Sequence, residues 1–353
     1  MHYPTLDGLR GFAILLVVLY HNFGFIPFLN YGWLGVDLFF VLSGFLITEI
    51  LLNSRNTKNY FKNFYVRRIL RIFPLYYLVL IFFLIIFPVI KNFPLDLRFY
   101  TQNQLWYWIY LQNWVFTFNY DGKGAALNHF WSLAVEEQYY LVWPFIVLLI
   151  RNAKTLLACC LLTLIIIISA RLYIWSNYNE YDTNRLFLFT RIDGILIGSM
   201  LAIVHHINQN LLKKYFTALI LLLAAFNFTV YFLKENPDFP VWAIAGYTTF
   251  SAIFAILVYE AVKKENKVIN VIFTNPILTL LGKYSYGFYI FHWPVFLLTK
   301  PYTDKLTSNF FTPASQTQMI ISATIATLAG LIISLLSYHL FEKHFLKLKK
   351  SFT

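Results

Sequence analysis

Leu6-Asp7-Gly8-Leu9-Arg10-Gly11-Phe12-Ala13-Ile14-Leu15-Leu16-Val17-Val18-Leu19-Tyr20-His21 is an apolar run interrupted by one arginine and closed by one histidine. His21 follows Arg10 by eleven positions, so on an α-helix, at roughly 100° per residue, the two side chains return to within about 20° of each other. They share one stripe, about 16 Å apart along the axis. A charged and an ionisable group on one stripe of an apolar helix are costly in lipid and face a bundle interior or a polar cavity. The alternative for His21 is a hydrogen bond between helices, which serves packing rather than chemistry.

The rest of the chain is built in the same manner. Of its 353 residues 59% are hydrophobic and only 12% charged, too apolar for a water-facing surface. Apolar stretches of the length needed to cross a bilayer recur at roughly 8–26, 33–53, 72–90, 131–150, 155–175, 186–206, 213–233, 240–262, 277–299 and 318–341. The expected fold class is therefore all-α, a polytopic membrane protein of about ten transmembrane helices, with residues 1–353 forming a single integral-membrane domain. The first span has no basic n-region and no small-residue cleavage site, so it is not read as a removable signal. Adjacent Cys159 and Cys160 give neither a disulfide framework nor a metal-ligand spacing, and no metal is expected.

The net charge of +12 is distributed by topology rather than gathered into a nucleic-acid surface, so no nucleic-acid partner is expected. With the N-terminus inside, seventeen Lys and Arg fall in inner loops and the C-terminal tail, against seven in outer loops. That bias follows the positive-inside rule and predicts both termini in the cytoplasm.

This topology assigns depths. Arg10, Arg68 and Arg71 lie at the inner face. Arg68 and Arg71 are three residues apart and point the same way, so the three form a candidate anion site suited to phosphate. An alternative for the Arg67–Arg71 cluster is anchoring to lipid head groups. His21, Asp37, Ser132 and Glu136 fall in the outer half. A carboxylate bonded to one imidazole nitrogen would raise the basicity of the other. Glu137 points about 100° from Glu136 and reads as facing interfacial water. Arg191 and Asp193, two apart, are expected to pair with other helices rather than with each other. His292 reads as an interhelical contact. Gly32, Gly35 and Ser43-Gly44 are expected to let spans 1 and 2 approach closely. Trp106, Tyr107, Trp108, Tyr110, Trp114, Phe116, Phe118 and Tyr120 read first as a segment at the membrane interface, with stacking on a sugar as the alternative.

Four blocks in order carry a resemblance: Leu6–Gly11 running to His21; Gly35-Val36-Asp37-Leu38-Phe39-Phe40-Val41-Leu42-Ser43-Gly44; Arg68-Ile69-Leu70-Arg71-Ile72-Phe73-Pro74; and His129-Phe130-Trp131-Ser132-Leu133-Ala134-Val135-Glu136-Glu137-Gln138-Tyr139-Tyr140. Arg191-Ile192-Asp193 with Gly198, and the segment from Tyr284 to Pro294, extend it over essentially the whole chain. The chain resembles the integral-membrane acyltransferase family 3, which includes bacterial polysaccharide O-acetyltransferases. The resemblance implies an enzyme of the bacterial cytoplasmic (inner) membrane that moves an acyl group, most commonly acetyl, from cytosolic acyl-CoA to a hydroxyl of a surface or exported glycan. It maps the family's Arg–His motif onto Arg10 and His21, and its Arg-x-x-Arg motif onto Arg68 and Arg71. Many relatives carry a further extracytoplasmic hydrolase-like domain, which is not expected here.

On this reading the phosphates of acyl-CoA meet Arg10, Arg68 and Arg71, and the thioester lies beside His21. His21 then acts as general base or as acyl-accepting nucleophile. Asp37 or Glu136 supports His21, and Ser132, Trp131 or a backbone amide serves the oxyanion. Two rivals remain. A transporter would also place polar residues at membrane depth, but the halves of the chain show no clear internal repeat. A non-catalytic component of a polysaccharide export complex would explain the helices but not the shared stripe of Arg10 and His21.

Overall fold

The computed structural model describes residues 3–118, 125–178, 186–210, 221, 225–226, 246–312 and 315–352. Among these the chain is helical, with no strand. The long helices, numbered in chain order, are α1 (Pro4–Phe23), α2 (Leu34–Ser54), α3 (Tyr60–Leu80), α4 (Trp131–Leu149), α5 (Ala153–Tyr178), α6 (Asp193–Ile207), α7 (Tyr247–Lys263), α8 (Pro276–Thr307) and α9 (Gln316–Ser337). They fall on nine of the expected spans; the span expected at 213–233 lies, apart from residues 221 and 225–226, outside the described residues. So do Lys123, Arg185, Lys213, Lys214 and Lys234 from the loop-charge reading, and Tyr120 from the aromatic segment.

Five segments are long and apolar enough to cross a membrane on those grounds: Pro4–Phe23, Pro27–Ser54, Tyr60–Val89, Ala153–Asn177 and Gln316–Leu348. Helices α4 and α8 are more polar because they line cavities, as the next subsection describes. The expected start of the third span near residue 72 is late. Helix α3 begins at Tyr60, so Arg67, Arg68 and Arg71 are borne on the helix itself, and it runs on through a π-helical turn at Ile81–Ile86. Its Pro74 is accommodated inside the helix.

Close helix pairing sets the architecture. Helix α1 packs along α8, and α2 along α6. Glycine makes both approaches possible: a Cβ at Gly11 would lie 1.8 Å from the carbonyl oxygen of Leu278, and one at Gly44 only 1.9 Å from that of Ile195. Such small-residue contacts are how apolar helices gain dispersion energy in lipid, where the hydrophobic effect between them is absent. Gly35 does face α1, against the Ala13 carbonyl, as the sequence suggested. Gly44 does not: it packs on α6, because nine residues on from Gly35 is two and a half turns, which carries it to the opposite side of α2.

The connection between α3 and α4 folds into short helices at Arg98–Gln102, Gln104–Trp108 and Gln112–Phe118. Its aromatics divide by burial. Tyr100, Tyr107, Tyr110 and Phe116 are buried, Tyr110 stacking on Tyr76 with ring centroids 4.1 Å apart. Trp106, Leu105 and Ile109 are exposed. The segment packs against α3 and α4, and its buried rings are spent on that packing.

Candidate active site

Two cavities lie along the axis of the bundle. The first, about 800 Å3 with its open mouth included, is lined by Arg10 from α1, Phe39, Phe40 and Ser43 from α2, Arg68 and Arg71 from α3, Ser132, Glu136, Glu137 and Tyr140 from α4, and Ser285, Tyr286 and Tyr289 from α8. The second, about 570 Å3, is lined by Val17, Tyr20 and His21 from α1, Trp33, His129, Trp131, Arg191, Tyr247 and again Tyr289. Val36 and Tyr289 line both, so the cavities meet at these two side chains.

The arginine cavity gathers the three expected cations. Arg10 donates to Asp7 one turn before it at 2.9 Å, an ion pair the sequence reading did not anticipate. Arg68 lies over the Tyr140 ring, 5.2 Å from its centroid. Glu136 accepts from Tyr140 at 2.8 Å and from Ser43 at 3.3 Å. The expected orientation of Glu137 toward interfacial water is not what the structure has: both glutamates line this cavity, which is wide enough to wrap around that side of α4.

His21 occupies the other cavity, and its partners are not the carboxylates expected. Its Nδ1 lies 3.0 Å from the Val17 carbonyl oxygen and 3.2 Å from His292 Nε2. His292 Nδ1 in turn lies 2.7 Å from the Tyr289 carbonyl and 3.2 Å from that of Phe288. A carbonyl only accepts, so His292 carries its proton on Nδ1 and presents a lone pair at Nε2. His21 therefore also carries its proton on Nδ1, donating it toward Val17 and His292, and its basic nitrogen is Nε2. The assignment rests on the hydrogen-bond network. His129 completes a cluster, its ring centroid 5.0 Å from that of His292 and 6.3 Å from that of His21. It sits in a turn before α4, where burial, and next the proximity of His21, push its imidazole down to about 3. Three close imidazoles invite a metal reading, but among the described residues no group of His, Cys, Asp or Glu is arranged to hold one.

Both carboxylates expected beside His21 are engaged elsewhere. Asp37 is fully buried and pairs with Arg191 at 2.8 Å. Asp193 pairs with Arg171 at 2.6 Å and lies 3.9 Å from Arg191. Two acids and two bases thus form a neutral buried network, which satisfies the desolvation requirement for charges in an apolar interior. As expected, Arg191 and Asp193 each pair chiefly with another helix, and their own 3.9 Å approach comes where the helix breaks at Ile192 between Leu188–Arg191 and α6. Arg191 also lies over the Tyr247 ring, 4.0 Å from its centroid, so the network fixes one wall of the His21 cavity. Glu136 is one helical turn, about 6 Å, past Ser132 on α4, which puts it with the arginines. Ser132 itself stays near the junction, its hydroxyl 2.6 Å from that of Tyr289, which donates to the His129 carbonyl at 2.6 Å.

The residues that sequence reasoning missed are His129 and Tyr289, while His292 makes the interhelical contact expected of it, to His21. Their signal was partly available, since both sit within the recognised blocks. Nothing in their spacing said that α1, α4 and α8 converge there.

Comparison with known proteins bears on this geometry. The profile of a family described as an acyltransferase domain matches residues 3–339. The chain is similar to the putative peptidoglycan O-acetyltransferase YrhL of Bacillus subtilis, with 33% identity over 96% of this chain and 54% of the relative. It is similar also to the peptidoglycan O-acetyltransferase OatA of Listeria monocytogenes, at 30% identity over 96% of this chain and 55% of the relative. For the O-acetyltransferase OatA of Staphylococcus aureus the identity is 31% over 85% of this chain and 51% of the relative. The chain spans about half the length of these curated relatives. No solved structure matches it.

Proposed function

The chain belongs to the family of membrane acyltransferases whose domain it carries over residues 3–339, and from that premise we propose that it is an O-acetyltransferase moving acetyl from cytosolic acetyl-CoA to a hydroxyl of a cell-wall glycan. The observation that carries the reading is the meeting of two cavities at Val36 and Tyr289, one lined by Arg10, Arg68 and Arg71 and the other by His21. A donor with phosphates at one end and a thioester at the far end of a thin arm fits that division. Arginine forks hold the phosphates, and the arm passes Ser132 and Tyr289 to bring the thioester into the His21 cavity. The excess of Lys and Arg in the loops on the arginine side supports placing that side toward the cytoplasm. The names of the relatives support a glycan acceptor such as peptidoglycan.

In the transfer, His21 Nε2 takes the proton of the acceptor hydroxyl as its oxygen attacks the thioester carbon. The tetrahedral intermediate collapses, the C–S bond breaks, and the thiolate of CoA leaves and takes the proton from the imidazolium. His292 is a positioning residue, since its Nε2 accepts from His21 Nδ1–H and thereby keeps Nε2 of His21 basic. It also stabilises the imidazolium formed during the step. Asp37 and Glu136 act at one remove in this reading, Asp37 through Arg191 and Glu136 within the donor cavity.

Replacing Arg68 and Arg71 by alanine tests the donor half. The expected result is a rise of at least tenfold in the apparent KM for acetyl-CoA for each variant, with kcat changed less, because each removes a charge-assisted contact to a remote part of the donor. Unchanged donor dependence in both would leave the arginines to topology and lipid anchoring.

A further inference from the structure

Beside the arginine cavity lies a separate recess, about 900 Å3 with its open side included, whose lining includes Asn59, Asn63, Arg67, Arg68, Arg71 and Lys349. Arg68 and Arg71 line both spaces, so the recess adjoins the arginine cavity across these two side chains. The segment after α9 builds it: residues 343–351 fold back onto α3 and bring Lys349 to the arginine-bearing face. Among the described residues no carboxylate side chain lines the recess. Among the described residues none of the ion pairs involves Arg67, Arg68, Arg71 or Lys349, and the buried Nε of Arg67 has no hydrogen-bond partner. Lys349 is held among these cations, its ammonium pushed down to about 8, first by burial and then by Arg71, Arg68, Arg67 and Arg10. A site that destabilises its own cation is one that an anion would relieve.

We propose that this recess is a phosphomonoester site, in which Lys349 and Arg67 hold a terminal phosphate while the amides of Asn59 and Asn63 donate to its oxygens or to an attached ribose. Resting on the acetyl-CoA reading, the ligand is the 3′-phosphate of the donor nucleotide, with the pyrophosphate one step further in at Arg68 and Arg71. The head group of phosphatidic acid offers the same chemistry from the bilayer, and the experiment separates the two sources.

Binding of adenosine 3′,5′-bisphosphate is measured on the full chain in phosphatidylcholine nanodiscs at pH 7, for wild type, Lys349→Gln and Lys349→Arg. Wild type is expected to bind, Lys349→Gln about tenfold more weakly, and Lys349→Arg within about twofold of wild type. CoA should lose affinity in Lys349→Gln to a similar degree, and dephospho-CoA should not. Nucleotide binding that depends on Lys349, found in a protein that never turns over acetyl-CoA, would keep this site and sink the transfer reading. Retention of phosphatidic acid that depends on Lys349, with no nucleotide binding, would assign the site to lipid. Insensitivity of both probes to Lys349 overturns the proposal.

Discussion

At the scale of single residues, the site turns on which nitrogen of His21 is basic. The sequence placed Arg10 and His21 on one stripe, and α1 does carry both. What orients the imidazole came from another helix 271 positions away. Acidic partners were expected because a carboxylate is the common support for a catalytic imidazole; here a neutral imidazole and a backbone carbonyl stand at His21 Nδ1 instead. A neutral acceptor stabilises the imidazolium less than a carboxylate would. We therefore expect His292→Phe to lower kcat about tenfold with the KM for acetyl-CoA changed little, since the His21 imidazolium formed in the step loses its acceptor. Steady-state kinetics on the two proteins check this; an unchanged kcat would reduce His292 to packing.

At the scale of elements, helix existence was legible because long apolar runs admit few other readings. Partner choice was not. Gly44 shows why: its small size announced a close approach, but only the phase of α2 against α6 decided which helix would come close. The same holds for Asp37. Its place beside a catalytic histidine was argued from depth alone, and depth does not fix azimuth. In the structure it fastens α2 to the segment before α6 through Arg191. Asp37→Ala leaves that guanidinium buried without its nearest partner, a change of about 3–5 kcal/mol for such pairs. Thermal unfolding in detergent should show the loss, and Asp37→Ala/Arg191→Met should recover part of it. A single variant as stable as wild type would remove the network from the account of the fold.

At the scale of the whole molecule, the bundle on the proposed reading separates donor binding from chemistry along its axis. The arginines gather at one end, His21 sits toward the other, and Tyr289 stands where the cavities join. The separation of Arg10 from His21 was the most legible part of the arrangement, because spacing along a helix converts directly into distance along its axis. The cavities themselves were not legible, since their walls come from α1, α2, α3, α4 and α8 at once. The central claim is that His21 performs the transfer on a donor held by the arginines. It is tested with purified protein in nanodiscs, radiolabelled acetyl-CoA and soluble peptidoglycan fragments, comparing wild type with His21→Ala. The account predicts labelled glycan and free CoA from wild type, at least a hundredfold less from His21→Ala, and the same CoA affinity in both. Equal turnover by a well-folded His21→Ala protein would contradict it.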